Sequence, residues 1–123
     1  MNKEMWKFFK KIFIFIFFII LLLLFFNKTH LKTSTSDTNN QVIVYYKDAF
    51  LFGPTEINVY YKKNSMLFSR KLFSTSINND GATPTQDSVY CSWRENICSI
   101  SLIGSEGASK NYQIIFDDDV TYK

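Results

Sequence analysis

"VYCSWRENICSISLI", residues 89–103, decides the fold. Two short runs that alternate apolar and polar side chains flank a tight polar link, Arg94–Asn96. That is the pattern of a β-hairpin. Side chains alternate across a strand, so Val89, Cys91 and Trp93 share one face, and Cys98, Ile100 and Leu102 continue it. Tyr90, Ser92, Ser99 and Ser101 take the other face. A hairpin centred between Arg94 and Glu95 sets Trp93 opposite Asn96 and Cys91 opposite Cys98. Directly opposed residues have Cα atoms about 4.5–5.5 Å apart, within disulfide range. A Cys91–Cys98 disulfide is therefore expected, with two reduced cysteines packed as small hydrophobes as the alternative. A metal site is not expected, because two sulfurs lack the further ligands that a tetrahedral ion needs. Nor is this a Cys-x-x-Cys redox motif, since six residues separate the pair.

Outward from the hairpin, short β-rich runs alternate with turn signals. "VIVYY" (42–46), "TEINVYY" (55–61), "MLFSRKLFSTSI" (66–77) and "NYQIIF" (111–116) read as strands. "KKNS", "NNDGATPTQDS" and "GSEGASK" read as the turns and loops between them. The expected fold is all-β: a small antiparallel meander or sandwich of about six strands over residues 42–116. Residues 27–41, "NKTHLKTSTSDTNNQ", show no period and read as a flexible polar stalk. Residues 117–123 read as an acidic tail.

The N-terminus is of another kind. Ile12–Phe26 is an unbroken apolar run of 15 residues behind Lys7, Lys10 and Lys11. A run of this length, apolar all round, is not expected to hide in a small domain. Residues 1–26 therefore read as a signal anchor, a single transmembrane helix preceding the domain. A cleaved signal peptide would need small residues just after the run, and "FFNKTHLK" supplies none. Four lysines before the run against Lys28 and Lys32 after it place the N-terminus in the cytoplasm and the domain outside. The expected localisation is the cell membrane, single-pass.

The net charge of +3 belongs to this segment, whose four lysines outweigh Glu4. Residues 27–123 hold ten basic and ten acidic residues. A neutral domain has no global field for nucleic acid, which is not expected as a partner. No Gly-x-Ser-x-Gly elbow is present, and "GSEGASK" lacks the lysine and helix of a phosphate loop. Asp117–Asp119 is too short for a calcium loop. No cofactor, metal or enzyme activity is expected. The apolar run Phe50, Leu51 and Phe52 lies between two strands. It reads either as a loop closing one end of the core or as a contact site for a protein partner or the membrane.

The order "FGPTEINVYY", "INNDG", a strand with Trp93, "ISLIG" and "YQIIF" resembles an uncharacterised family of small membrane-anchored bacterial proteins. The resemblance implies a short anchor followed by one compact extracytoplasmic β domain, and no active site. The expected function is a non-enzymatic, membrane-tethered binding or regulatory domain. The alternative is a structural accessory subunit of a membrane complex, associating through its anchor.

Overall fold

The computed structural model of the chain describes residues 2–26, 28–48, 53–79, 82–105, 107 and 109–123. One helix, α1 (Lys3–Phe26), is followed by β1 (Thr29–Thr35), β2 (Gln41–Lys47), β3 (Thr55–Lys62) and β4 (Arg70–Ile77). A 3-10 turn at Gln86–Ser88 leads into β5 (Val89–Arg94), β6 (Ile97–Ile103), β7 (Ser109–Phe116) and β8 (Val120–Tyr122). Each set of four strands forms an antiparallel meander, β1-β2-β3-β4 and β5-β6-β7-β8. Among the described residues the fold is thus mostly β, with eight strands rather than about six.

The two additional strands lie at sheet margins. The stretch read as a stalk forms β1, and the tail contributes β8. Neither shows an apolar period, because each is covered on one side only and buries little. In β1 the core contact comes from Leu31, at a bulge between His30 and Lys32 that breaks the alternation. The β1–β2 link is a local turn: Asn39 takes a φ of 64°, and the Ser36 hydroxyl accepts the Asn40 amide at 3.0 Å.

The sheets pack face to face. Val42, Val44, Ile57, Val59, Phe73 and Ile77 of the first sheet meet Val89, Cys98, Ile100, Leu102, Ile114 and Phe116 of the second. Rings cross the gap: Tyr61 lies edge-on to Phe116 at 6.3 Å, and Phe73 stacks on Tyr122 at 4.4 Å. At one end the chain leaving β6 presses on the chain leaving β4. A side chain at Gly104 would run into the Asn78 carbonyl, so only glycine fits there.

The expected membrane span is corrected. Among the described residues no helix is long and apolar enough to cross a membrane. Helix α1 has 24 residues, but Lys3, Glu4, Lys7, Lys10 and Lys11 occupy its first part. The remaining 15-residue apolar run is about 22 Å long, against a hydrocarbon core of about 30 Å. The single-pass localisation and the orientation drawn from the lysine bias fall with the span. What remains is an apolar helix whose described side chains are exposed except for a half-buried Leu21.

Candidate functional site

The outer face of the first sheet departs from the usual polar alternation. Ile57, Val59 and Tyr61 of β3 point inward, so Glu56, Asn58, Tyr60 and Lys62 point outward. The register places Tyr45 beside Asn58, Ile43 beside Tyr60, and His30 beside Tyr45. The result is an aromatic band. His30 and Tyr45 meet edge-on at 5.8 Å, and Tyr45 and Tyr60 do so at 5.2 Å, with interplanar angles of 81° and 77°. Lys28 extends the band, its Nζ donating to the Tyr60 hydroxyl at 2.7 Å and lying 5.3 Å from the ring centre. His30 shares a 2.6 Å hydrogen bond with the Thr33 hydroxyl.

Asn58 is fully buried although it points away from the core. Its Oδ1 accepts from the Ser74 hydroxyl at 2.7 Å, and its Nδ2 donates to Glu56 at a longer 3.4 Å. The same face carries Lys47, paired with Glu56 across the strands, and Lys71, paired with Tyr60. Among the described residues, Lys28, Lys62 and Lys71 also border this face, on a domain that is neutral in sum.

A second polar cluster lies at the seam where β1 of one sheet borders β5 of the other. Lys32 Nζ donates to the Val89 carbonyl at 2.8 Å. The Trp93 indole N–H donates to the Ser34 hydroxyl at 2.8 Å. Between these two bridges sits Cys91, half-buried, with the fully buried Cys98 behind it. A cleft of about 410 Å³, lined by Thr35, Ser36, Asp37, Trp93, Glu95 and Asn96, opens beside Trp93.

Both cysteines lie on the core face of the hairpin, but they are not directly opposed. Cys91 pairs with Ile100, and Trp93 pairs with Cys98. The expected pairing is corrected by a turn centred one residue later, on Glu95 and Asn96, and closed by Arg94 and Ile97. The shift of centre keeps every side chain on its face and makes the cysteines diagonal neighbours. Both are free thiols. Asn96 fixes the turn: its carbonyl accepts the Phe116 amide at 2.9 Å, and its Nδ2 donates to Asp117 at 2.6 Å.

The two thiols are diagonal neighbours, and their acidities are driven apart. Cys91 is held below the ordinary thiol value, first by the hydrogen bond from Cys98, then by the Lys32 charge and the Ser34 hydroxyl, against the opposing effect of burial. Cys98 is pushed well above it by the same hydrogen bond, by burial and by the Cys91 charge.

Phe50, Leu51 and Phe52, read as a candidate partner contact, lie outside the described residues. Asp117–Asp119 form the β7–β8 turn, where the Asp117 and Asp118 carbonyls accept Lys63 Nζ at 2.9 and 3.2 Å. The aromatic band was missed because His30 fell in the supposed stalk. The signal was present in "VIVYY" and "NVYY", where a tyrosine falls on each face of the strand. Family models, curated proteins and solved structures give no match to the chain, so its function is read from these residues themselves.

Proposed function

We propose that the β-sandwich is a non-enzymatic binding module that holds an acidic protein segment against the outer face of its first sheet. The observation that carries this reading is the basic aromatic band itself: His30, Tyr45 and Tyr60 edge to face, bordered by Lys28, Lys62 and Lys71. Tyrosine is enriched where interfaces form, because it presents a large apolar ring with a polar tip. The surrounding lysines favour carboxylates and speed their encounter.

Partner binding by strand addition is disfavoured, because the sheet edges carry the devices that block it. β1 and β4 each contain a bulge. β5 is bridged to β1 by Lys32 and Trp93, and β8 has three residues. Contact is left to a face. Nucleic acid is disfavoured by the ring geometry, since rings at 77–81° to one another offer no parallel platform for successive bases.

The test is binding of a fluorescent peptide rich in Glu and Tyr, beside a Lys-rich peptide of equal length and a single-stranded oligothymidylate. The acidic peptide should bind and weaken with added salt. The double charge reversal Lys62→Glu/Lys71→Glu should weaken it by about tenfold or more, equivalent to ~1.4 kcal/mol, at unchanged melting temperature. Tyr60→Ser should weaken it as well. No binding, or binding indifferent to the charge reversal, sinks the proposal. Tighter binding of the oligothymidylate would replace it with a nucleic-acid reading.

A further inference from the structure

The seam between β1 and β5 carries a chemistry that the outer face does not use. A half-exposed cysteine and a fully buried one are diagonal neighbours on adjacent strands, on the same core-facing side of the hairpin. A lysine and a hydroxyl from the opposite sheet flank the more exposed sulfur, and both are fixed by contacts of their own: Lys32 to the Val89 carbonyl and Ser34 to the Trp93 indole. The Lys32 ammonium is thereby held at the Val89 carbonyl, two residues from Cys91 on the same strand face.

We propose that Cys91 and Cys98 form a peroxide-reactive dithiol, in which Cys91 is attacked first and Cys98 closes the product to an intramolecular disulfide. The Cys91 thiolate attacks the terminal oxygen of a small hydroperoxide. The O–O bond breaks, the leaving oxygen takes a proton to become an alcohol or water, and Cys91 becomes a sulfenic acid. The Cys98 sulfur then attacks the Cys91 sulfur. The S–O bond breaks, and hydroxide leaves with the Cys98 proton as water. Two thiols are oxidised by two electrons in all, and one hydroperoxide is reduced. An external dithiol reverses the change by exchange.

The division of roles follows from position. Cys91 is half-buried on β5, the edge strand of its sheet, and is the more accessible of the two thiols to a small oxidant. Lys32 and Ser34 from β1 and Cys98 from β6 all favour its thiolate, and Lys32 is the charged group among them. Cys98 is fully buried and held as a thiol, so it waits for a sulfur brought to it.

The register makes the bond reversible. Diagonal neighbours on adjacent strands have Cα atoms about 7–8 Å apart, beyond the 4.4–6.8 Å usual for a disulfide. β5 and β6 are already paired, so closing the bond must bend β5 or slide it along β6. β5 can move, because it is the edge of its sheet. Its bridges to β1, Lys32 to Val89 and Trp93 to Ser34, give way as it does. A strained bond of this kind is readily reduced. Trp93 reports the movement, since its indole leaves Ser34. This inference is independent of the outer-face proposal.

The experiment uses the full chain carrying Trp6→Phe, so that Trp93 is the sole tryptophan. Reduced protein is treated with hydrogen peroxide, alkylated and weighed. Both thiols should be lost together, without intermolecular crosslinks, with a shift in Trp93 emission that dithiothreitol reverses. In Cys98→Ala, which keeps the site apolar, Cys91 should instead accumulate as a sulfenic acid trapped by dimedone. In Cys91→Ser the remaining thiol should not react while the protein stays folded. Lys32→Met should move the pH midpoint of Cys91 alkylation upward. The proposal is overturned if peroxide leaves both thiols intact, if Cys91→Ser reacts as fast as the parent, or if the disulfide forms only between molecules.

Discussion

Glu95 shows how one residue sets a register. It takes a φ of 54° in the two-residue turn between β5 and β6. Left-handed backbone costs a side-chain-bearing residue about 1–2 kcal/mol, so glycine or asparagine is the residue a reader looks for there. "RENI" places the asparagine one position too late for that reading. Tertiary contacts decide instead, since Asn96 is claimed by Phe116 and Asp117 at the end of β7. Such contacts lie 20 residues away and cannot be seen in the hairpin alone. The alternation of side chains was legible, because it depends only on strand geometry. The pairing of the cysteines was not, because it depends on that turn. Glu95→Gly should raise stability by about 0.5–1 kcal/mol: relief of left-handed strain exceeds the roughly 0.4–1 kcal/mol that glycine adds to unfolded-chain entropy. Urea unfolding measures it, and a lowered midpoint would mean that the Glu95 side chain contributes more than its backbone costs.

At the scale of elements, legibility followed burial. β2, β3, β5, β6 and β7 each bury alternate apolar side chains and were readable within about two residues. β4 begins four residues later than its apolar run suggested, at Arg70. β1 was unreadable because its sequence, "THLKTST", offers the core little beyond Leu31. Its remaining contribution is polar: Lys32 and Ser34 reach across to β5, and His30 faces outward. These are the residues on which both candidate sites draw, so the sites were hidden together with the strand. If Leu31 pins β1, then Leu31→Ala should cost about 2–5 kcal/mol, the usual range for truncating a buried leucine. Thr33→Ala on the outer face should cost under about 0.5 kcal/mol, as surface changes do. Thermal unfolding gives both values. Hydrogen exchange should show faster exchange of the β1 amides in Leu31→Ala; equal effects of the two changes would show that β1 is held by its ladder with β2 alone.

For the molecule as a whole, the described core of the sandwich is built from strand residues. Among the described residues, every buried apolar residue that joins the core lies in β1–β7, and none lies in α1. The contact recorded near the junction is Lys28 to Tyr60, on a residue that follows the helix. A chain beginning at Lys28 should therefore keep the entire core, and its urea midpoint should match that of the full chain. The two should differ in association. Phe13 is 72 % exposed and Leu24 66 %, on a helix whose apolar residues face every direction. Such a surface exceeds the few hundred Å² of apolar patch that monomers normally show. At about 25 cal/mol per Å² of apolar area removed from water, burying even 400 Å² would contribute roughly 10 kcal/mol before the costs of association. The full chain in plain buffer should therefore sediment as an oligomer, and the shortened chain as a monomer with the same far-ultraviolet spectrum in its β region. Mild detergent should collapse that difference. A shortened chain that fails to unfold cooperatively would show that α1 supports the sandwich after all. A full chain that sediments as a monomer would show that the helix finds cover within its own molecule.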